Sequence, residues 1–113
     1  MVVTTDHGIV QCRRPSVVLG NRDTSTSIRY KFGDNLVCDE KEALHIKNPL
    51  DYLLPAGSLT KQYILAKENF YFVYPTNQHH YERQYRGTFQ HGGVSLEEMI
   101  LPVTTLSPKT GEV

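Results

Sequence analysis

The pattern of apolar and polar positions along the chain predicts many short strands and few helices. Apolar or alternating runs bounded by turn residues predict strands over residues 2–5, 10–12, 16–19, 28–32, 36–38, 45–47, 62–66, 70–74 and 103–106. The run 70–74 is apolar at every position, so we expect another layer to cover both of its faces. The first run is nearly all β-branched and is likewise predicted to be buried on both faces.

Helical signals are short and are marked by capping residues. Helical segments are predicted over residues 40–44, from Pro49 to just before Pro55, over residues 78–86 and over residues 96–100. The last of these follows Ser95 and Glu98, which form a capping box, and Pro102 ends it.

The connections between these elements complete the predicted organisation. Strands 62–66 and 70–74 are separated by three residues, which predicts a β-hairpin. Pro15, which follows two arginines, is predicted to end the strand over residues 10–12 before the next strand begins. Polar residues 21–27 predict a loop, and residues 107–113 predict a frayed tail.

Composition and charge restrict the classes of function. The 113 residues are 39% hydrophobic and 21% charged, which predicts one folded domain or part of one. The formal net charge of +0 argues against strongly electrostatic binding to nucleic acid or to a membrane. The cysteines Cys12 and Cys38 have neither metal-motif nor disulfide-scaffold spacing and are predicted to be free thiols.

Location follows from the same features of the sequence. No apolar run approaches the ~20 residues of a membrane span, so we expect a soluble, cytoplasmic protein with no membrane contact. Met1 lies directly on an apolar strand without a polar lead-in. We therefore interpret the sequence as a segment cut from a longer protein.

Two distant stretches carry residue types that bind metals. Asp6 and His7 precede Gly8 at the end of the first strand, and His91 directly precedes Gly92 and Gly93. Asp and His are ligands for zinc and similar metals, and glycine allows the chain to turn beside them. Adjacent side chains of a strand point to opposite faces, so Asp6 and His7 can share a metal only if the strand ends before them. The alternative is that Asp6 caps a turn and His7 is merely exposed.

Other polar side chains are weaker candidates. Arg29 and Lys31 share a strand face that could hold a phosphate or stack a base beside Tyr30, although an ordinary exposed face is the simpler interpretation. Further residues with both a functional and a structural interpretation are His45, His79, His80, Tyr81, Tyr85 and Ser95. For each of these six the structural role, in solvent, in packing or as a helix cap, is favoured.

Three blocks of sequence together resemble the C-terminal part of the PglZ domain, a member of the alkaline phosphatase superfamily. They are residues 3–8 (VTTDHG), residues 28–31 (IRYK) and residues 88–100 (TFQHGGVSLEEMI). The resemblance covers nearly the whole chain and is closest to response regulators of the PorX type. It implies an α/β fold, or α+β for the isolated segment, in a partial alkaline-phosphatase-like domain spanning 1–113, with short strands, a hairpin and a few short helices.

The resemblance also implies a site and a chemistry. In this superfamily two zinc ions lie side by side, and a Thr or Ser nucleophile attacks phosphorus between them. By the match, Asp6 and His7 bind the zinc that activates the nucleophile, and His91 binds the other. Arg29, Lys31 and His80 are weaker expectations as substrate-binding residues.

This sequence departs from the family pattern because the nucleophile and the remaining ligands of such domains lie upstream of the matched part. We therefore expect a C-terminal half-site of a zinc-dependent phosphodiesterase or phosphatase, without a catalytic nucleophile, inactive alone and a poor binder of metal. The expected partners are a phosphoester, an oligonucleotide being one example, an upstream receiver domain and a sensor kinase. Self-association through open sheet edges is a further expectation. The alternative is a non-catalytic signalling or docking module linked to secretion regulation.

Overall fold

The computed structural model describes residues 1–21, 24 and 26–111. Its strands are β1 (Val2–Thr4), β2 (Val10–Gln11), β3 (Arg14–Val17), β4 (Tyr30–Gly33), β5 (Ala43–Ile46), β6 (Gln62–Ala66), β7 (Phe70–Val73), β8 (Phe89–Gln90) and β9 (Val103–Thr105). Its α-helices are α1 (Gln78–Tyr85) and α2 (Leu96–Met99), and 3₁₀ helices span Pro49–Tyr52 and Pro75–Asn77. These short elements confirm the predicted mixed α/β class.

The strands pair into four small sheets within the described residues. One sheet has three antiparallel strands in the order β4-β6-β5. The strands β3 and β7 pair in parallel, whereas β2 pairs with β8 and β1 pairs with β9 in antiparallel fashion. Parallel strands need a long crossover, and the three-stranded sheet lies within the connection between β3 and β7.

The predicted pairing of β6 with β7 is wrong, although both strands exist. Strand β6 has β4 on one edge and β5 on the other, so it has no edge left for β7. Phe70 N donates to the carbonyl of Lys67 at 3.1 Å, and this turn passes the chain from one sheet to another. A three-residue loop can join two strands that pair with each other or two strands that belong to different sheets.

Strand β7 is covered on both faces, as its continuous apolar run predicts. Phe72 packs into one core cluster with residues that include Ile64, Val18 and Leu36. Tyr71 points to the other face and belongs to a second cluster, consisting of Cys12, Ile28, Tyr71 and Val73. Tyr81 and Tyr85 of α1 pack against that second cluster, which confirms their predicted role in packing.

The predicted break between two strands exists, but it lies at residues 12–13, so that Arg14 and Pro15 fall inside β3 instead of before it. Within the part of the chain that the structure describes, strand β3 pairs with β7 alone and is therefore an edge strand. An edge strand tolerates proline because the missing N–H can face away from the ladder. The residue beside it, Ser16, is buried in register with Phe72.

Strand β1 is exposed, which contradicts the prediction that it is buried on both faces. All residues of β1 and of its partner β9 are exposed, and Val2 and Val103 keep 62% and 69% of their surface. The molecule has a radius of gyration of 18.0 Å and extents of 67 × 35 × 23 Å. A compact domain of this length would have a radius of about 13 Å, so the chain leaves much of its surface uncovered.

The helix predictions have mixed outcomes. The segments beginning at Pro49, near Gln78 and at Leu96 form as predicted, the first as a 3₁₀ helix. The predicted turn of helix over 40–44 forms only as a hydrogen-bonded turn, in which Ala43 N donates to the Asp39 carbonyl at 3.0 Å, because β5 begins at Ala43. The predicted loop over 21–27 and the end of the tail lie partly outside the described residues. In the described part of the chain, no helix has the length and apolarity needed to cross a membrane.

The core assignment predicts the effect of truncating a buried side chain. Ile64 is 0% exposed in the first cluster, so Ile64→Ala should lower the free energy of unfolding by about 2–5 kcal/mol. Leu59 is fully exposed, and Leu59→Ala should change it by less than about 0.5 kcal/mol. Urea denaturation measures both. Equal effects of the two substitutions would contradict this core.

Candidate metal centre

The two histidine-bearing turns meet in space. β1 ends at Thr4, so Asp6 and His7 lie in the turn beyond it, and His91 directly follows β8. The rings of His7 and His91 are stacked with centroids 3.6 Å apart and planes 14° from parallel. Asp6 Oδ1 lies 3.6 Å from His7 Nε2. The sequence prediction that these three residues lie together agrees with this geometry, whereas their binding of metal stays a prediction.

The imidazole of His7 is oriented by the backbone. Its Nδ1 lies 2.8 Å from the carbonyl oxygen of Gly8. A carbonyl oxygen only accepts hydrogen bonds, so Nδ1 carries the proton in this contact. In the neutral ring Nε2 then keeps its lone pair, on the side where Asp6 lies. A ligating histidine is commonly held in this way by a hydrogen bond from its other nitrogen.

The donors are of the right type for zinc but are few. Asp6 keeps 91% of its side-chain surface and His7 keeps 39%, so both are open to solvent. Among the described residues, no group of three or more His, Cys, Asp or Glu side chains is arranged to hold a metal ion. A catalytic zinc usually has three protein ligands. The stacked pair therefore fits as part of a metal site and not as a complete one.

A buried ion pair lies behind the two turns. The guanidinium of Arg29 and the carboxylate of Glu98 are 0% and 3% exposed, and Arg29 Nη2 lies 2.5 Å from Glu98 Oε2. Arg29 Nε also donates to Glu98 Oε1 at 2.9 Å, which completes a two-pronged contact. Arg29 Nη1 donates to the carbonyl of Phe70 in β7, so the arginine is tied to the core.

The carboxylate of Glu98 also accepts hydrogen bonds from the turn that follows His91. Gly93 N donates to Oε1 at 2.9 Å, and Ser95 Oγ donates to Oε2 at 2.6 Å. Burial alone raises the pKa of Glu98, but the hydrogen bonds from Arg29, Ser95 and Gly93, with the arginine charge, lower it overall. The carboxylate is therefore held ionised.

Glycines permit the close approach of these segments. A Cβ atom at Gly8 would lie 1.9 Å from the carbonyl oxygen of Glu97, and one at Gly93 would lie 2.5 Å from the carbonyl oxygen of Ala66. Gly92 has a φ of +106°, and a Cβ there would lie 2.6 Å from the ring of Tyr30. The two turns can therefore reach α2 and β4 only with glycine at these positions.

The expected exposed basic face on β4 is wrong, because both basic side chains are buried. Arg29 is 0% exposed and is paired with Glu98. Lys31 is 2% exposed, donates to the carbonyl of Ser27 at 2.8 Å and lies 4.7 Å from the ring of Tyr74. Burial lowers the pKa of Lys31 to about 8. Their contacts are thus internal, and substrate binding by either residue stays a prediction.

The remaining histidines lie on other elements. His80 is exposed on α1, and its ring meets the edge of the Tyr81 ring at 6.1 Å. His79 lines an open cleft of about 720 Å³ on α1 with Glu82, Arg83 and Arg86. His45 Nε2 lies 3.0 Å from Gln62 Oε1 across neighbouring strands. The predicted role of His80 in substrate binding stays a prediction.

Glu98 has two roles, in the helix cap and in the ion pair, and the sequence predicts only the first. The spacing from Ser95 predicts the cap, and Glu98 N does donate to Ser95 Oγ at 3.3 Å. The partner that matters most, Arg29, is 69 positions away in the chain, and no local pattern marks it. An arginine between two apolar residues is the one available signal, and its alternation with apolar neighbours favours an exposed side chain instead.

The chain matches a known protein family over most of its length. The model of the PglZ family, described as the BREX system PglZ alkaline phosphatase-like domain, matches residues 1–106. The match spans most of the 113 residues, so the chain belongs to this family of alkaline-phosphatase-like domains. A search of curated proteins finds no match.

The close approach at Gly93 predicts a large effect of adding one methyl group. Gly93→Ala places Cβ 2.5 Å from a backbone oxygen and 2.6 Å from Arg29 Nη2, so the turn must move. We expect a loss of about 1–3 kcal/mol in the free energy of unfolding. A Cβ atom added at Gly111 would meet no atom within 4 Å, so Gly111→Ala is the matched control and should be near neutral. Urea denaturation of both variants decides whether the contact exists.

The ionised carboxylate predicts a dependence of stability on pH. The pKa of Glu98 is lowered from 4.5 in the fold, so its contribution is complete above that value and is lost as the pH falls through the folded pKa. Glu98→Gln should destabilise the chain by about 3–5 kcal/mol at neutral pH, because it leaves Arg29 without a buried counter-ion. It should also flatten the fall in stability at acid pH. Urea titrations of wild type, Glu98→Gln and the exposed-site control Glu97→Gln test this, and an unchanged acid slope in Glu98→Gln would refute it.

Proposed function

We propose that this chain supplies one part of the zinc site of a phosphohydrolase, a phosphodiesterase or phosphatase. Asp6 and His7 bind one ion and His91 binds a second. The observation that carries the proposal is the stacking of His7 on His91 with centroids 3.6 Å apart. The stacking brings together the two turns that carry the candidate ligands, although they are more than eighty positions apart in the chain.

The side chains of this segment have distinct tasks in the proposed site. The Gly8 carbonyl accepts the Nδ1 proton of His7, so that Nε2 faces the ion with its lone pair. Asp6 provides an anionic oxygen and is open to solvent, so it can reach an ion without displacing protein. When bound, two such ions offset the charge on phosphoryl oxygens and fix the attacking and leaving oxygens in line. The nucleophile and the remaining ligands come from another part of the domain.

The same proposal covers the rest of the protein, its substrate and its location. The resemblance to response regulators of the PorX type supports a receiver domain upstream and control by a sensor kinase. The substrate is a phosphoester, an oligonucleotide being one example, and the protein is cytoplasmic. Association of copies through the open β1–β9 edges is included, because every residue of both strands is exposed.

A non-catalytic docking module is the second candidate. The exposed apolar side chains favour it, because several of them lie on α2 and on the exposed strand pair, next to the candidate ligands. Examples are Leu96, Met99, Val2 and Val103, each at least 62% exposed. Large exposed apolar patches commonly mark interaction sites. In that case any bound metal would have a structural role.

An activity assay distinguishes these candidates. The protein encoded by the complete gene is assayed with a chromogenic phosphodiester and zinc. His91→Ala should lower kcat/KM by at least about 100-fold, since even loss of a residue that only orients a metal ligand costs about 10–100-fold. His79 is an exposed histidine on α1, and His79→Ala should leave kcat/KM unchanged. Turnover that survives His91→Ala would remove His91 from the site, and a wild type without turnover would favour the docking module.

A further inference from the structure

The histidine-bearing turns are both hydrogen-bonded to the same residue. Gly8 N, next to His7, donates to the backbone carbonyl of Glu98 at 3.0 Å. Gly93 N, two positions after His91, donates to the side-chain oxygen Oε1 of Glu98 at 2.9 Å. We propose that Glu98 is the positioning residue of the two-histidine site and holds both rings in register. This inference rests on the proposed function for its catalytic meaning.

The carboxylate of Glu98 is saturated by donors. Its two oxygens accept four hydrogen bonds, with Oε1 receiving Arg29 Nε and Gly93 N, and Oε2 receiving Arg29 Nη2 and Ser95 Oγ. An amide of the same shape has only one oxygen, and its NH₂ would meet one prong of the guanidinium. Glutamine therefore cannot reproduce this arrangement, because in either orientation its NH₂ group faces an arginine donor. The resulting repulsion should move the side chain and weaken the contact that holds the turn carrying His91.

The ion pair connects the site to the core. Arg29 is held at its backbone, since its carbonyl accepts from Ala66 N of β6 at 2.8 Å, and its side chain donates to Phe70 of β7. Val94 N also donates to the Ala66 carbonyl at 2.8 Å, which fixes the chain just after Gly93. Helix α2 has only four residues and no buried residue besides Glu98. Glu98 is therefore the one side chain of α2 that anchors the helix in the interior.

A positioning residue must restrain the metal ligands within the folded state, and Glu98 can do so through their neighbours. Metal ligands must be held within about 0.5 Å of their productive positions, and Asp6 and His91 are themselves exposed. Their neighbours provide the restraint, and Glu98 is the residue that both neighbours contact. A residue that served only stability would affect unfolding without changing how the two rings lie in the folded state.

The first measurement uses the metal-free chain and NMR of the imidazole ring protons. Stacked rings shift each other's protons upfield, so His7 and His91 should show displaced resonances in wild type and in Glu97→Gln. In Glu98→Gln the two resonances should return to the values of solvated histidines, while the methyl resonances of buried Ile64 stay dispersed. Retention of the ring shifts in folded Glu98→Gln overturns the proposal.

A second variant covers the case in which Glu98→Gln does not fold. The double substitution Arg29→Met with Glu98→Leu replaces the ion pair by apolar groups, a change that buried pairs often tolerate. We expect it to fold, with dispersed Ile64 methyl resonances, and to lose the ring shifts because Gly93 N has no acceptor. A folded double variant that keeps the stacked rings also overturns the proposal.

The third measurement separates this inference from the proposed function. Zinc is titrated into the protein from the complete gene, and calorimetry gives the dissociation constant. Glu98→Gln, or the double variant if the single one does not fold, should weaken binding by about 10–100-fold, as for other residues that orient ligands, and Glu97→Gln should not. A wild type that binds no zinc refutes the proposed function, whereas the ring shifts still decide the role of Glu98. Wild-type zinc affinity in the folded Glu98 variants refutes the positioning role and leaves the proposed function standing.

Discussion

The buried pair of Arg29 and Glu98 is the interaction on which the arrangement of this molecule depends. Burying two charges is costly, and the cost is offset only where every donor and acceptor of the pair is used. Here each carboxylate oxygen has two donors, and Arg29 Nη1 has the Phe70 carbonyl. The pair joins three segments that are far apart in sequence: the start of β4, the start of β7 and helix α2. Local propensity alone would not place a four-residue helix there, because isolated helices of that length are unstable in water.

Sequence reasoning succeeds for whatever depends on neighbouring residues. The cap at Ser95, the 3₁₀ helix beginning at Pro49 and the strand character of β6 and β7 all follow from local chemistry. The meeting of His7 with His91 does not follow from spacing, and only the resemblance of the surrounding blocks to the PglZ domain predicts it. The family match over residues 1–106 supports that resemblance.

The failures have a common physical cause, which is that burial and pairing are decided by partners distant in sequence. Arg29 and Lys31 alternate with apolar residues, and that pattern predicts that the charges face solvent. In the fold Arg29 finds Glu98, and Lys31 finds the Ser27 carbonyl and the Tyr74 ring, so the polar ends are satisfied inside. Strand β1 fails in the opposite direction: its valines predict burial, but β9 covers only one edge and neither face.

The few candidate metal ligands lie next to elements that carry exposed apolar side chains. Strand β1 leads directly into Asp6 and His7, and Leu96 and Met99 of α2 flank the residue that holds both histidine turns. On the proposed function, a segment that brought further ligands beside the stacked imidazoles would lie next to these exposed side chains of β1 and α2. Burial of such surface contributes about 25 cal/mol per Å². If the proposed site is completed in this way, ligand placement and burial of apolar surface would be coupled, because the same two elements carry the exposed side chains and adjoin the stacked imidazoles.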